Sequence, residues 1–152
     1  MDDELPHVPT PIRSRTNVVL IAHDGCKDAM AEWARHNREI LARCSLFATS
    51  TTGQRVSESL GLPVKRLLSG PLGGDSQVGA MIAEQRLDAV IFFWDPLTTQ
   101  PHDVDVKALL RLSVLYNIPV ACNQTSADFL ITSPLFFDQA YRTQRFLSQA
   151  AV

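Results

Sequence analysis

FFWDPLTTQPHDVDVKALLR, residues Phe92 to Arg111, passes without a break from an apolar strand-like run through a proline-marked turn into an amphipathic helix. The turn carries His102 and the carboxylates Asp95, Asp103 and Asp105. In an open α/β sheet, ligands bind at the carboxyl ends of strands. A His/Asp cluster at such an end is therefore a candidate for acid–base chemistry.

Outward from this stretch the same alternation repeats. Strands are expected at Val18–Ala22, Ser45–Ala48, Val64–Leu67, Ala89–Trp94 and Val120–Cys122. Helices are expected near Cys26–Arg38, Gly53–Leu60, Gln77–Gln85, Asp105–Tyr116 and Ser126–Thr132, with a last one from Phe136 to the end. Five strands separated by crossover helices predict an α/β fold, a doubly wound and mainly parallel sheet with helices on both faces. Residues 1–16, with three prolines among charged residues, read as a loose arm, and 17–152 as one domain.

Composition narrows the class. Fourteen Lys and Arg against sixteen Asp and Glu give a net charge of −2 with no basic stripe, so no nucleic-acid footprint is visible. No apolar run is long enough to span a bilayer and no signal-peptide core precedes the first strand, so a cytoplasmic protein without membrane partners is expected. The three cysteines are widely spaced, which argues against a disulfide framework or a zinc site.

Three further strand ends carry polar motifs. His23-Asp24-Gly25-Cys26-Lys27 follows the first strand, with Asp24 suited to capping the helix and Lys27 to facing an anion from its first turn. Thr49-Ser50-Thr51-Thr52-Gly53 follows the second: hydroxyls at a helix start suit phosphate, and they equally make a plain capping turn. After the third comes SGPLGGDSQVG, Ser69 to Gly79. Its glycines permit an unusual backbone path and a close approach by ligand, and place Asp75 at the lip of the next helix, where a simple N-cap is the competing account. At the fourth strand end a carboxylate hydrogen bonded to one nitrogen of His102 would fix its tautomer and aim the other at a substrate; a solvated turn histidine beside a capping Asp fits as well.

Taken together, AHDxxK at Ala22–Lys27, TxTTG at Thr49–Gly53, SGPxGGDxQVG at Ser69–Gly79 and FFWDPxxxxPHDxDVKALLR at Phe92–Arg111 resemble the methylglyoxal synthase family, in the same order over roughly Asn17 to Pro134. The resemblance implies conversion of dihydroxyacetone phosphate to methylglyoxal and inorganic phosphate without cofactor, in homo-oligomers, commonly hexamers, inhibited by phosphate. It implies Asp75 as catalytic base and His102 as the proton-handling partner, with Asp105 and Asp95 in the same polar constellation. Lys27, Thr49, Thr51, Thr52, Ser69 and Gly70 match substrate-binding positions, and His23 and Asp24 line the site. Family members can carry an arginine within the last few residues, whereas this chain ends Ser148-Gln149-Ala150-Ala151-Val152; Arg142 and Arg145 are the nearest basic candidates. Two other readings are a non-catalytic regulatory domain of the same fold, as at the end of carbamoyl phosphate synthetase large subunits, and a flavodoxin-like or receiver module. A receiver needs a lysine after the fifth strand, where this chain reads Cys122-Asn123-Gln124-Thr125.

Overall fold

The computed structural model describes residues 15–142. Five strands, β1 (Thr16–Ala22), β2 (Cys44–Thr49), β3 (Val64–Leu67), β4 (Ala89–Phe93) and β5 (Val120–Ala121), form one sheet in the order β3-β2-β1-β4-β5. Every adjacent pair is parallel. From β1 the chain steps outward through β2 to β3, then returns to the other side of β1 for β4 and β5. The order therefore reverses between β1 and β4, where Ala22 lies opposite Phe93, and the crevice beyond that point is where such sheets bind ligands.

Five helices connect the strands, α1 (Lys27–His36), the short α2 (Arg38–Leu41), α3 (Ser50–Leu60), α4 (Gly74–Ala83) and α5 (Asp103–Leu115), and α6 (Gln124–Thr132) follows β5. The alternation along β1 sends Val18, Leu20 and Ala22 to one face and Val19 and Ile21 to the other. The first face packs with Met30, Trp33, Val56, Ala127 and Ile131 of α1, α3 and α6; the second packs with Val78, Ile82, Val106 and Leu109 of α4 and α5. Each fully buried large apolar side chain contributes roughly 1.5–3 kcal/mol of transfer free energy. All five residues of β4 are buried, as a central parallel strand covered on both faces requires.

Strand positions match the apolar runs closely, but α3, α4, α5 and α6 begin two or three residues earlier than their apolar periodicity indicates. Their first turns are largely polar or glycine-rich and lie at the carboxyl ends of the strands, so the hydrophobic signal starts late. The first helix divides at Asn37 into α1 and α2. Of the expected arm, residues 1–14 lie outside the described residues; Thr16 is buried in β1, and the Arg15 guanidinium donates to the carbonyls of Ala42 (2.6 Å) and Cys44 (2.8 Å). Of the expected last helix, residues 143–152 lie outside the described residues. Phe136 sits in a turn rather than a helix, and helical structure resumes only at residue 139, because Asp138 Oδ1 accepts the Tyr141 N–H at 3.0 Å and caps the new start. Cys26, Cys44 and Cys122 are unpaired. No helix of the described residues is long and apolar enough to cross a membrane.

Candidate active site

At the switch point the ends of β1 and β4 are tied together by histidine. The His23 backbone N–H donates to the Phe93 carbonyl (3.2 Å), and the Asp95 N–H donates to His23 Nδ1 (3.0 Å). With Nδ1 accepting, the neutral ring carries its proton on Nε2. That atom is buried without a hydrogen-bond partner among the described residues. Burial, and secondarily the neighbouring His102, pulls the His23 pKa below the ordinary imidazole value, so the ring is neutral at physiological pH.

From the α4/α5 face come Asp75 and His102. The loop after β3 coils on itself: the Ser69 carbonyl accepts from Leu72 (3.1 Å) and Gly74 (2.8 Å), Gly73 takes φ +103°, and a Cβ on Gly74 would stand 2.1 Å from the Leu68 carbonyl oxygen. Only glycines allow this path, and it delivers Asp75 into the first turn of α4 with 1% of its surface exposed. Both carboxylate oxygens lack a hydrogen-bond partner among the described residues. Burial raises the Asp75 pKa above the ordinary carboxylate range, with nearby Asp105 adding to the rise and His102 opposing it. His102, at the start of α5, places Nε2 3.6 Å from Asp75 Oδ2, and its ring fills the space a Gly70 side chain would occupy, since a Cβ there would lie 2.7 Å from Nε2. The rings of His102 and His23 meet edge to face with centroids 5.7 Å apart.

From the α1/α3 face comes a cation. Lys27, in the first turn of α1, pairs with Asp24 (2.5 Å) and contacts the Thr51 hydroxyl in the first turn of α3. Its ammonium is held at the N-terminus of an eleven-residue helix, where free backbone N–H groups and the helix dipole favour an anion. Thr52 Oγ1 donates to the Ala22 carbonyl (3.3 Å), which fixes that helix start to the end of β1 beside His23.

The expected residues divide by place. Asp75, His102, Gly70 and His23 adjoin one another; Lys27, Thr51 and Asp24 form the cationic rim; the buried hydroxyls of Thr49 and Thr52 lie beneath it, 3.5 Å apart. Ser69 begins the tight turn that carries Gly70. Asp24 does not cap α1 through its side chain; Lys27 claims the carboxylate and lowers its pKa, chiefly through their hydrogen bond. The predicted carboxylate-to-imidazole hydrogen bond on His102 is not formed. Asp103 instead accepts the Gln100 N–H (3.2 Å), and His102 Nδ1 has no partner among the described residues. Asp95 spends an oxygen on the Leu97 N–H (3.0 Å), and that bond leads those that lower its pKa, so Asp75 and Asp95 are pushed in opposite directions. Gly53 is a packing residue inside α3, since a Cβ there would lie 2.7 Å from Arg66 Cγ. Arg142 sits at the other end of the sheet, paired with Asp88 at 2.8 Å just before β4; Arg145 lies outside the described residues. Sequence pattern alone did not single out Gln77, whose side-chain carbonyl accepts the Leu68 N–H at 2.7 Å and holds the glycine loop. Its place within GGDSQVG was the available signal. Among the described residues no group of three or more His, Cys, Asp or Glu is placed to hold a metal ion.

A parallel sheet reversing at β1/β4, with an unsolvated carboxylate and two histidines on one side and a lysine at a helix start on the other, defines the class: the MGS-like domain, whose family model matches residues 29–122. A methylglyoxal synthase of Leptospira interrogans is 61% identical over 119 residues, covering 78% of this chain and 80% of the relative, and one of Proteus mirabilis is 52% identical over 136 residues, covering 90% of each. The crystal structure of methylglyoxal synthase from Elizabethkingia anophelis superposes with a TM-score of 0.77 at 49% identity, covering 82% of each chain. The chain belongs to the methylglyoxal synthase family.

Proposed function

We propose that the protein is a lyase that converts dihydroxyacetone phosphate into methylglyoxal and inorganic phosphate. The observation that carries this reading is Asp75, a buried carboxylate with no hydrogen-bond partner among the described residues and a raised pKa, facing His102 at the end of the sheet that also carries the Lys27 rim. An ordinary solvated carboxylate is a weak base toward carbon; desolvation strengthens it. Asp75 takes a proton from the hydroxymethyl carbon, and the electron pair moves toward the ketone oxygen to give an enediolate. His102 Nε2 supports the charge and passes a proton between the two oxygens, with backbone donors near Gly70 as the second support. The carbon–oxygen bond to phosphate then breaks, its electron pair leaving on phosphate, and the enol that remains becomes methylglyoxal.

Triosephosphate isomerase, which pairs a carboxylate base with a neutral histidine, forms the same kind of intermediate. Elimination differs in needing the breaking bond roughly perpendicular to the enediolate plane, where it overlaps the π system. Lys27, Thr51 and the α3 start hold the phosphate from the sheet face opposite Asp75 and His102, which supports that orientation. Thr49, Thr52 and Ser69 shape the floor of the same grip, His23 offers a neutral N–H, and Asp105 adds to the rise in the Asp75 pKa that burial chiefly causes. Asp95, with its lowered pKa, organises the turn after β4.

The exposed Leu72, Leu97 and Val104, all on segments at the crevice end, support burial against further copies, as in a homohexamer. A charged triose phosphate does not cross a bilayer unaided, which supports action in the cytoplasm. A regulatory domain of this fold would bind phosphorylated effectors through the Lys27 rim and would have no use for Asp75 facing His102. Purified protein given dihydroxyacetone phosphate should release methylglyoxal and phosphate in equal amounts, unaffected by excess chelator. Phosphate binding without product at any protein concentration would favour the regulatory reading.

A further inference from the structure

The lysine of the phosphate grip is bracketed by acid. Asp24 pairs with Lys27, and Asp28 is the next residue on α1, so the first turn that carries one ammonium brings two carboxylates with it. Uncorrected, that balance opposes capture of phosphate. The correction comes from α3. Arg55 pairs with Asp28, and its positive charge also helps lower the pKa of Asp24. Local geometry builds the arrangement: Thr51 and Arg55 are i, i+4 neighbours on α3, and helical side chains lean toward the N-terminus, so the guanidinium is carried toward the gap between α1 and α3 where Lys27 meets Thr51.

We propose that Arg55 is an affinity-setting residue for phosphate-bearing ligands, acting by cancelling Asp28 so that the Lys27–Asp24 entrance is neutral overall instead of net negative. It touches no reacting atom. The proposal rests on Lys27 and Thr51 holding the substrate phosphate. The side chains of Arg55 and Asp28 are 49% and 93% exposed, so the pair contributes little to stability and either residue can be replaced without unfolding the protein. The Arg55 charge already reaches Asp24, the carboxylate paired with Lys27, so it acts at the grip itself.

The test is a charge cycle on the whole protein: Arg55→Gln, Asp28→Asn and the double variant. Inorganic phosphate binding is measured by isothermal titration and KM for dihydroxyacetone phosphate by initial rates. Arg55→Gln should weaken both by the same factor, about 3- to 10-fold, with kcat within twofold of wild type. Asp28→Asn should bind at least as tightly as wild type, the double variant should return close to wild type, and 1 M KCl should erase the differences. An Asp28→Asn variant weakened as much as Arg55→Gln overturns the proposal, because the pair would then act by spacing α1 from α3. Wild-type phosphate affinity in Arg55→Gln overturns it as well. The titration does not depend on turnover: a wild type that binds phosphate but makes no methylglyoxal sinks the catalytic reading alone, whereas one that binds no phosphate sinks both.

Discussion

At the scale of one residue, Asp75 is placed against its own stability. A carboxylate without solvent or hydrogen bonds has a raised pKa, so the folded protein holds that proton more tightly than the unfolded chain. Stability therefore falls as pH rises from the unfolded carboxylate value through the folded one, and stays reduced above it. Asp75→Asn should accordingly melt at a higher temperature than wild type at pH 7, and the gap should close in scans at pH values below the unfolded carboxylate pKa. The same variant lacks the proposed base, so methylglyoxal formation and exchange of the hydroxymethyl proton with D₂O should fall together, by on the order of a thousandfold or more. Wild-type exchange would remove Asp75 from the mechanism. In wild type the same raised pKa puts the acid limb of kcat/KM above the ordinary carboxylate range, because the base must lose its proton first.

At the scale of elements, the apolar runs were enough to place the five strands, since β-branched and aromatic residues between turn signals admit few other readings. Helix starts were harder to read because function occupies them. Ser50-Thr51-Thr52-Gly53 and Gly74-Asp75 look like loop chemistry, yet they are the first turns of α3 and α4. Asp75 and His102 were legible as candidates from their glycine and proline framing, but the 3.6 Å between them was not, because α4 and α5 come together only through the second core layer. Gly70 shows how tightly that layer is set. A methyl group there would meet Nε2 of His102 at 2.7 Å, so Gly70→Ala should displace the ring and lower kcat by about a hundredfold, with far-UV circular dichroism unchanged. Unaltered kcat in a folded Gly70→Ala variant would mean that the ring position does not matter to the chemistry.

At the scale of the whole molecule, the two ends of the sheet have separate duties. The carboxyl ends of the strands hold the proposed catalytic residues, whereas the amino ends hold a structural clasp that pattern reading did not anticipate, because its partners lie 54 residues apart and neither sits in a motif. Asp88 accepts the Asn17 N–H (2.8 Å) and pairs with Arg142 at 2.8 Å, the two side chains 2% and 9% exposed. The clasp thus fastens β1, the entry to β4 and the helical turn at residues 139–142 to one carboxylate. Removing one member of a buried pair leaves an uncompensated charge and costs about 3–5 kcal/mol, whereas replacing both by apolar groups of similar volume is often close to neutral. Arg142→Met should therefore lower the urea midpoint by that equivalent, and Arg142→Met with Asp88→Leu should recover part of it, less the bond from Asn17. Below its denaturation midpoint Arg142→Met should keep a near-wild-type KM, since the arginine stands at the end of the sheet opposite the Lys27 rim. A loss of phosphate affinity without a loss of stability would instead return Arg142 to the phosphate environment.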